Sequence, residues 1–293
     1  SETFFGSTIA TLEYTGDYML SDRNMPDTLT NIIILEGVTT LPDKAFYNMS
    51  QIETVTLPES LEIISNMAFY GCINLGGIVL PKSLNAIYSE AFSGCINLTS
   101  ISFPQGLRYI ESATFRGCTS LATVTLPDSI EMMLSSAFEK CENLKTINIP
   151  KSLNYISNRM FKYCSSIETI VIPGNIQTIE TEAFYGCYRL KAVIINNGVR
   201  KIKLFSFYST GIEELQLPST ITTIEDQVFQ YASKLKKLTI LAETPPAISE
   251  ATFYLTPQSL IIYVPESAYS KYIADPVWGV QNIQIITNDP IEP

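Results

Sequence analysis

Phenylalanine recurs in this chain at a fixed interval, and the interval limits the fold before any local propensity is considered. The residues are Phe46, Phe69, Phe92, Phe115, Phe138, Phe161, Phe184 and Phe207, spaced 23 apart, then Phe229 and Phe253 after one deletion and one insertion. A period of roughly 20–50 residues marks a solenoid, in which each unit stacks only on its neighbours. About ten coils follow. A length of 293 residues would otherwise suggest two globular domains, but a repeat array adds coils without enlarging a central core. Apolar residues make up 46% and charged residues only 16%, so every coil has side chains to bury.

One unit, Leu75 to Phe92, reads LGGIVLPKSLNAIYSEAF. Ile78 and Leu80 alternate with Val79, which puts the first two on one face of a short strand and Val79 on the other. Pro58, Pro81, Pro104, Pro127, Pro150, Pro173 and Pro218 end that strand in their coils, because proline brings no N–H to a ladder. A single coil cannot bury its apolar side. Stacking pairs each strand with that of the next coil in a continuous parallel sheet, and burial becomes shared.

The pattern L-x-x-I-x-I-P followed by L-x-x-I-x-x-x-A-F-x-x-C resembles the BspA-like (Treponema pallidum type) leucine-rich repeats of bacterial and protozoan surface proteins. The resemblance covers Thr28 to about Phe253. It implies a right-handed curved solenoid with a parallel sheet on its inner face, mostly β, with turns or short helical pieces opposite and caps at both ends. Residues 1–27 are expected to form the N-terminal cap, with a short entry hairpin over Thr8 to Asp22. The repeats fill residues 28–253; residues 254–287 are similar to the C-terminal cap of gut Bacteroidetes members, and 288–293 form a tail.

All six cysteines, Cys72, Cys95, Cys118, Cys141, Cys164 and Cys187, sit three residues after a repeat phenylalanine in consecutive coils. Buried cysteine behaves as a small hydrophobe, so the column reads as reduced thiols filling a corner of each coil. Disulfides between coils are the rival reading. Strand spacing of about 5 Å permits them, but parallel Cβ vectors suit poorly the near-perpendicular torsion of a bridge. Zinc lacks the paired C-x-x-C or histidine ligands it needs.

The chain contains no histidine, which removes the Ser-His and Cys-His nucleophilic arrangements. It has no dinucleotide fingerprint, P-loop or calcium loop, and no cofactor is expected. Glu213 and Glu214 are adjacent, so on a strand they point to opposite faces and make a poor glycosidase pair. A formal charge of -10 repels phosphate backbones, which argues against nucleic acid. No apolar run of 18 or more residues is present and no secretion signal is read at the start. Eight basic residues gather late, at Arg189, Lys191, Arg200, Lys201, Lys203, Lys234, Lys236 and Lys237. They are either a solvated face or a patch for an acidic partner.

Two surfaces remain as candidate contact sites. The outward column of the main strand runs Thr54, Gly77, Ser100, Thr123, Thr146, Thr169 and Ala192 before Glu214 and Lys237, a small polar carpet that also simply favours strands. In the second half of the coil, Tyr109, Met132 and Tyr155 share one column, with Tyr88 and Leu134 two residues along. This apolar stripe is a partner-contact site if exposed and extra packing if buried. The resemblance implies a non-enzymatic secreted or cell-surface recognition protein, adhering through protein contacts. A glycan-binding module and a structural spacer are the alternatives.

Overall fold

The computed structural model describes residues 11–16, 25–26 and 28–286. Two compact units are distinguished, Ser1–Leu153 with Ser157–Ile167 and Asn154–Ile156 with Glu168–Pro293. Both are parallel β-solenoids on the 23-residue repeat.

In the first unit, strands Thr11–Tyr14, Asn31–Ile34, Thr54–Thr56, Gly77–Val79 and Ser100–Ser102 pair in sequence order, and Thr123–Val124 pairs with Thr146–Ile147. Ile78 is buried while Val79 is 79% exposed, the alternation expected of a strand with one dry face. A second line of two-residue strands, from Thr40–Leu41 to Met132–Met133, runs through five coils. The third edge is made of turns. Residues on either side of the repeat phenylalanine adopt positive φ, as at Lys44 (φ 59) and Asn48 (φ 56), at a cost of order 1 kcal/mol each for a non-glycine residue. This conformation turns alternate N–H groups toward the next coil. Lys44, Phe46 and Asn48 donate to the carbonyls of Asn66, Ala68 and Tyr70 at 2.9, 2.8 and 2.7 Å, a third ladder that offsets the strain.

The core is a column of aromatic rings. Phe46, Phe69, Phe92, Phe115, Phe138 and Phe161 stack in the first unit with centroids 5.1–6.3 Å apart, and Tyr14 closes its start edge-on at 5.1 Å. Phe184, Phe207, Phe229 and Phe253 repeat the column in the second unit. There Trp278 ends it edge-on at 5.8 Å, held by its indole N–H on the Pro246 carbonyl at 2.8 Å.

Proline acts one coil away from where it sits. In a parallel ladder the carbonyl at the end of one strand accepts from the residue just after the neighbouring strand. Where that residue keeps its N–H the bond forms: Asn196 to Ile172 at 3.0 Å, Leu241 to Leu217 at 3.1 Å and Ile286 to Val264 at 2.9 Å. Four residue pairs then join Thr169–Ile172 to Ala192–Ile195, and four join Glu214–Leu217 to Lys237–Ile240. Where proline follows, the ladder stops short: three pairs before Pro58, one before Pro81, three before Pro104 and three before Pro265.

Of the expected entry hairpin, Thr11–Tyr14 is described and pairs in parallel with Asn31–Ile34 as a rung of the main sheet; residues 8–10 and 17–22 of that segment lie outside the described residues. Of the turns or short helical pieces expected opposite the sheet, the coils use turns; among the described residues helix occurs only at Glu266–Ala268 and Tyr269–Ala274, because the positive-φ turns of the coils interrupt helical dihedrals. The expected tail, 288–293, lies outside the described residues.

Candidate functional site

The stripe read from the sequence is only partly assembled. Tyr109 and Met132 are register partners on adjacent short strands, Tyr109 half-buried and Met132 40% exposed. The Tyr109 hydroxyl donates to Glu131 Oε2 at 3.2 Å, and Arg108 Nε grips the other oxygen of the same carboxylate at 2.8 Å. A ring and a thioether are thus presented beside a fixed ion pair. Tyr88 and Leu134 are each half-buried, but Glu111 occupies the coil between them and accepts from Ser89 Oγ at 2.8 Å. Their column is therefore interrupted by a carboxylate, which corrects the continuous apolar stripe. Tyr155, also half-buried, belongs to the second unit, where it pairs with Thr178.

All six cysteines are buried thiols. Cys72, Cys95, Cys118, Cys141 and Cys164 donate Sγ–H to the carbonyls of Phe46, Phe69, Phe92, Phe115 and Phe138 at 3.0–3.2 Å. Each thiol thereby satisfies the peptide group of the coil before it, which the sequence reading treated as packing alone. Burial pushes the Cys95 thiol up to about 12 and raises Cys72, Cys118 and Cys141 in the same direction. A thiol so held is a poor nucleophile and metal ligand.

Four of the eight residues of the basic cluster are paired with carboxylates. Lys191, Lys203, Lys236 and Lys237 pair with Glu168, Glu180, Glu213 and Glu214 at 3.7, 2.7, 3.2 and 3.7 Å, each partner one coil earlier. This weakens the reading of a patch for an acidic partner and engages the adjacent glutamates in ion pairs. The outward column behaves as expected of a surface, with Thr54, Ser100, Thr123 and Thr146 exposed in the first unit and Thr169, Ala192 and Glu214 exposed in the second.

Sequence reading missed a second aromatic surface. The position after the repeat phenylalanine carries Tyr47 and Tyr70, stacked at 5.0 Å, in the first unit. In the second unit Tyr185 and Tyr208 stack at 4.2 Å, Phe205 lies edge-on to both, and Tyr231 meets Tyr208 edge-on at 5.3 Å. Tyr185, Phe205 and Tyr208 are half-buried and Tyr231 is 49% exposed. The signal was present in the repeated F-Y pairs Phe46-Tyr47, Phe69-Tyr70, Phe184-Tyr185 and Phe207-Tyr208.

Solved structures share the fold. A leucine-rich repeat protein from Bacteroides ovatus aligns over 88% of this chain and 92% of its own, with TM-score 0.68 and 18% identity. The leucine rich repeat protein of T. pallidum is 32% identical over 55% of this chain and 77% of its own, with TM-score 0.51. The pneumococcal vaccine antigen PcpA is 20% identical over 95% of this chain and 83% of its own, with TM-score 0.53. No match is found among curated proteins. The model of the BspA type leucine rich repeat region matches residues 39–168 and 155–272, with six copies; with its phenylalanine period, its parallel coils and that match over most of its length, the chain belongs to the BspA-type leucine-rich repeat family.

Proposed function

We propose that this is a non-enzymatic recognition protein of the bacterial cell surface, adhering to a protein partner through aromatic groups on its coil edges. The observation that carries the reading is the set of tyrosine rings held in place yet left partly open to solvent, at Tyr109 beside Met132 and at Tyr185, Tyr208 and Tyr231. Clustered aromatic and methionine side chains of this kind are enriched in the centres of protein interfaces. Tyr88 and Leu134 add to the candidate contact residues of the first unit, and Tyr155 to those of the second.

Stacked rings favour protein over glycan. At 4.2 Å apart and 5° from parallel, Tyr185 and Tyr208 each lose one face to the other, which leaves less open aromatic face for a sugar ring to lie on. The surface location draws on the family and on the similarity to PcpA, which is described as a vaccine antigen.

The test is binding of the purified protein to extracellular-matrix proteins, mucins and glycans. A Tyr109→Ser/Met132→Ser/Tyr155→Ser variant and a Tyr185→Ser/Tyr208→Ser/Tyr231→Ser variant run alongside. Binding to a protein that either variant loses supports the reading. Binding to glycans alone moves it to a carbohydrate-binding module, and no binding at all moves it to a structural spacer.

A further inference from the structure

Within the five-strand sheet of the first unit the ladder is thinnest beside Gly77. Thr54 and Gly77 are the single residue pair joining their two strands, whereas the rungs on either side are joined by three pairs each. Beyond that pair a half-open hollow of about 330 Å³ separates Thr56 and Leu57 from Val79 and Pro81. Two features of the sequence create it. Pro81 has no N–H to give the Leu57 carbonyl, and Gly77 adds no side chain to the opening: a Cβ built there would meet nothing nearer than 3.9 Å. Among the described residues, neither the N–H nor the C=O of Leu57 meets a hydrogen-bonding partner.

The same unit shows what such a gap accepts. Three coils later Leu126 stands where Leu57 does and is likewise followed one coil on by a proline, Pro150. There the side chain of Asn148 enters: Leu126 N–H donates to its Oδ1 at 2.7 Å and its Nδ2 donates to the Leu126 carbonyl at 2.8 Å. The residue at the corresponding place beside Leu57 is Val79, 79% exposed and unable to do this.

We infer that the hollow is a binding site for the carboxamide side chain of an asparagine or glutamine on a protein partner, which would bridge the Leu57 N–H and C=O as Asn148 bridges those of Leu126. The inference rests on the protein-binding reading above but concerns a different surface, the sheet face beside Gly77.

Chemistry selects that occupant. A primary carboxamide has its acceptor and a donor on one edge, so one group meets both backbone atoms. A carboxylate has no donor for the carbonyl. The acetamido group of an amino sugar is a trans secondary amide whose N–H and C=O point in opposite directions, so it reaches only one of the two. Val79 and Pro81 flank the site with apolar surface for the methylene stem of a glutamine.

The test uses the full chain labelled with 15N-leucine, with the Leu57 amide assigned through a Leu57→Ile variant. The probe is acetyl-Ala-Gln-Ala N-methylamide. Its Glu and Met counterparts and N-acetylglucosamine are the comparisons, and Leu126, already engaged by Asn148, is the internal control. The expected result is a saturable shift of Leu57 but not of Leu126 with the glutamine peptide, and at least a tenfold weaker response in a Val79→Asn variant, whose own side chain occupies the gap. An unmoved Leu57, an equal shift with the Glu or Met peptide or with the sugar, or an undiminished response in Val79→Asn overturns the inference. The array experiment above is scored separately: a matrix protein that binds while the glutamine peptide does not leaves the protein-binding reading standing and removes this site.

Discussion

The two units are built on one repeat, yet they join their coils differently. In the first unit each main strand after the opening rungs is followed by proline, and beyond the four-pair opening ladder the ladders between coils hold three pairs or fewer. In the second unit Pro173, Pro218 and Pro265 remain, but Asn196 and Leu241 replace the proline of their coils, and four pairs form there. The column after the phenylalanine differs too. In the first unit Cys72 to Cys164 fill it with thiols that reach back to the preceding coil; the second unit opens with Cys187, and then at Thr210 and Thr256 the hydroxyls turn to the carbonyls of their own turn, Phe207 at 3.0 Å and Phe253 at 2.8 Å. Cohesion between coils is thus assigned to different groups along the chain, with the aromatic column common to both.

That common column gives the largest expected effect. Phe115→Ala and Phe229→Ala should each cost about 3–5 kcal/mol in urea unfolding followed by circular dichroism, since both rings are fully buried. A loss well below that in one unit alone would break the equivalence of the two columns.

Converting one joint into the other comes next. Asn196→Pro removes the N–H that reaches Ile172 and should cost about 1–3 kcal/mol, with faster amide exchange in Thr169–Ile172. A neutral substitution would show that the fourth pair adds nothing to the second unit.

The thiol column sharpens the contrast through pH. Cys95, raised from 9.0 to about 12 by burial, keeps its proton in the folded chain where the unfolded chain has lost it. The folded state therefore binds more protons across that interval, and stability falls as pH rises from about 9 toward about 12. A Cys95→Ala variant should lose less stability than the parent over the same range. Equal slopes would mean that the column carries no such linkage; Thr210, Ala232 and Thr256 have no titrating group at these positions in the second unit.

The smallest effect belongs to the surface. Glu180→Gln removes the carboxylate paired with Lys203 at 2.7 Å, a partly exposed pair expected to contribute less than about 1 kcal/mol in thermal unfolding and less still in high salt.

Much of the fold was legible because the period repeats every constraint. Phe46 to Phe253 announced the core column, Ile78 against Val79 the buried and exposed faces, and Cys72 to Cys187 a row of buried thiols. The candidate site was less legible. Tyr109 and Met132 were found and are adjacent, but Glu111 between Tyr88 and Leu134 was passed over because the columns were read for apolar residues alone. The F-Y pairs stand in the sequence but drew no attention, since nothing in a single coil shows that Tyr185 and Tyr208 meet face to face.

The sequence by itself determined the period, the strand alternation and the places where proline withholds a donor, because these follow from covalent chemistry and from side chains at fixed spacing. Only the tertiary structure decided where each withheld donor is felt. The Leu57 carbonyl is left without a partner by Pro81, 24 residues on, and Asn148 reaches back to Leu126. A coil's hydrogen bonds are completed by its neighbours, so their fate is set by stacking and not by the coil's own residues.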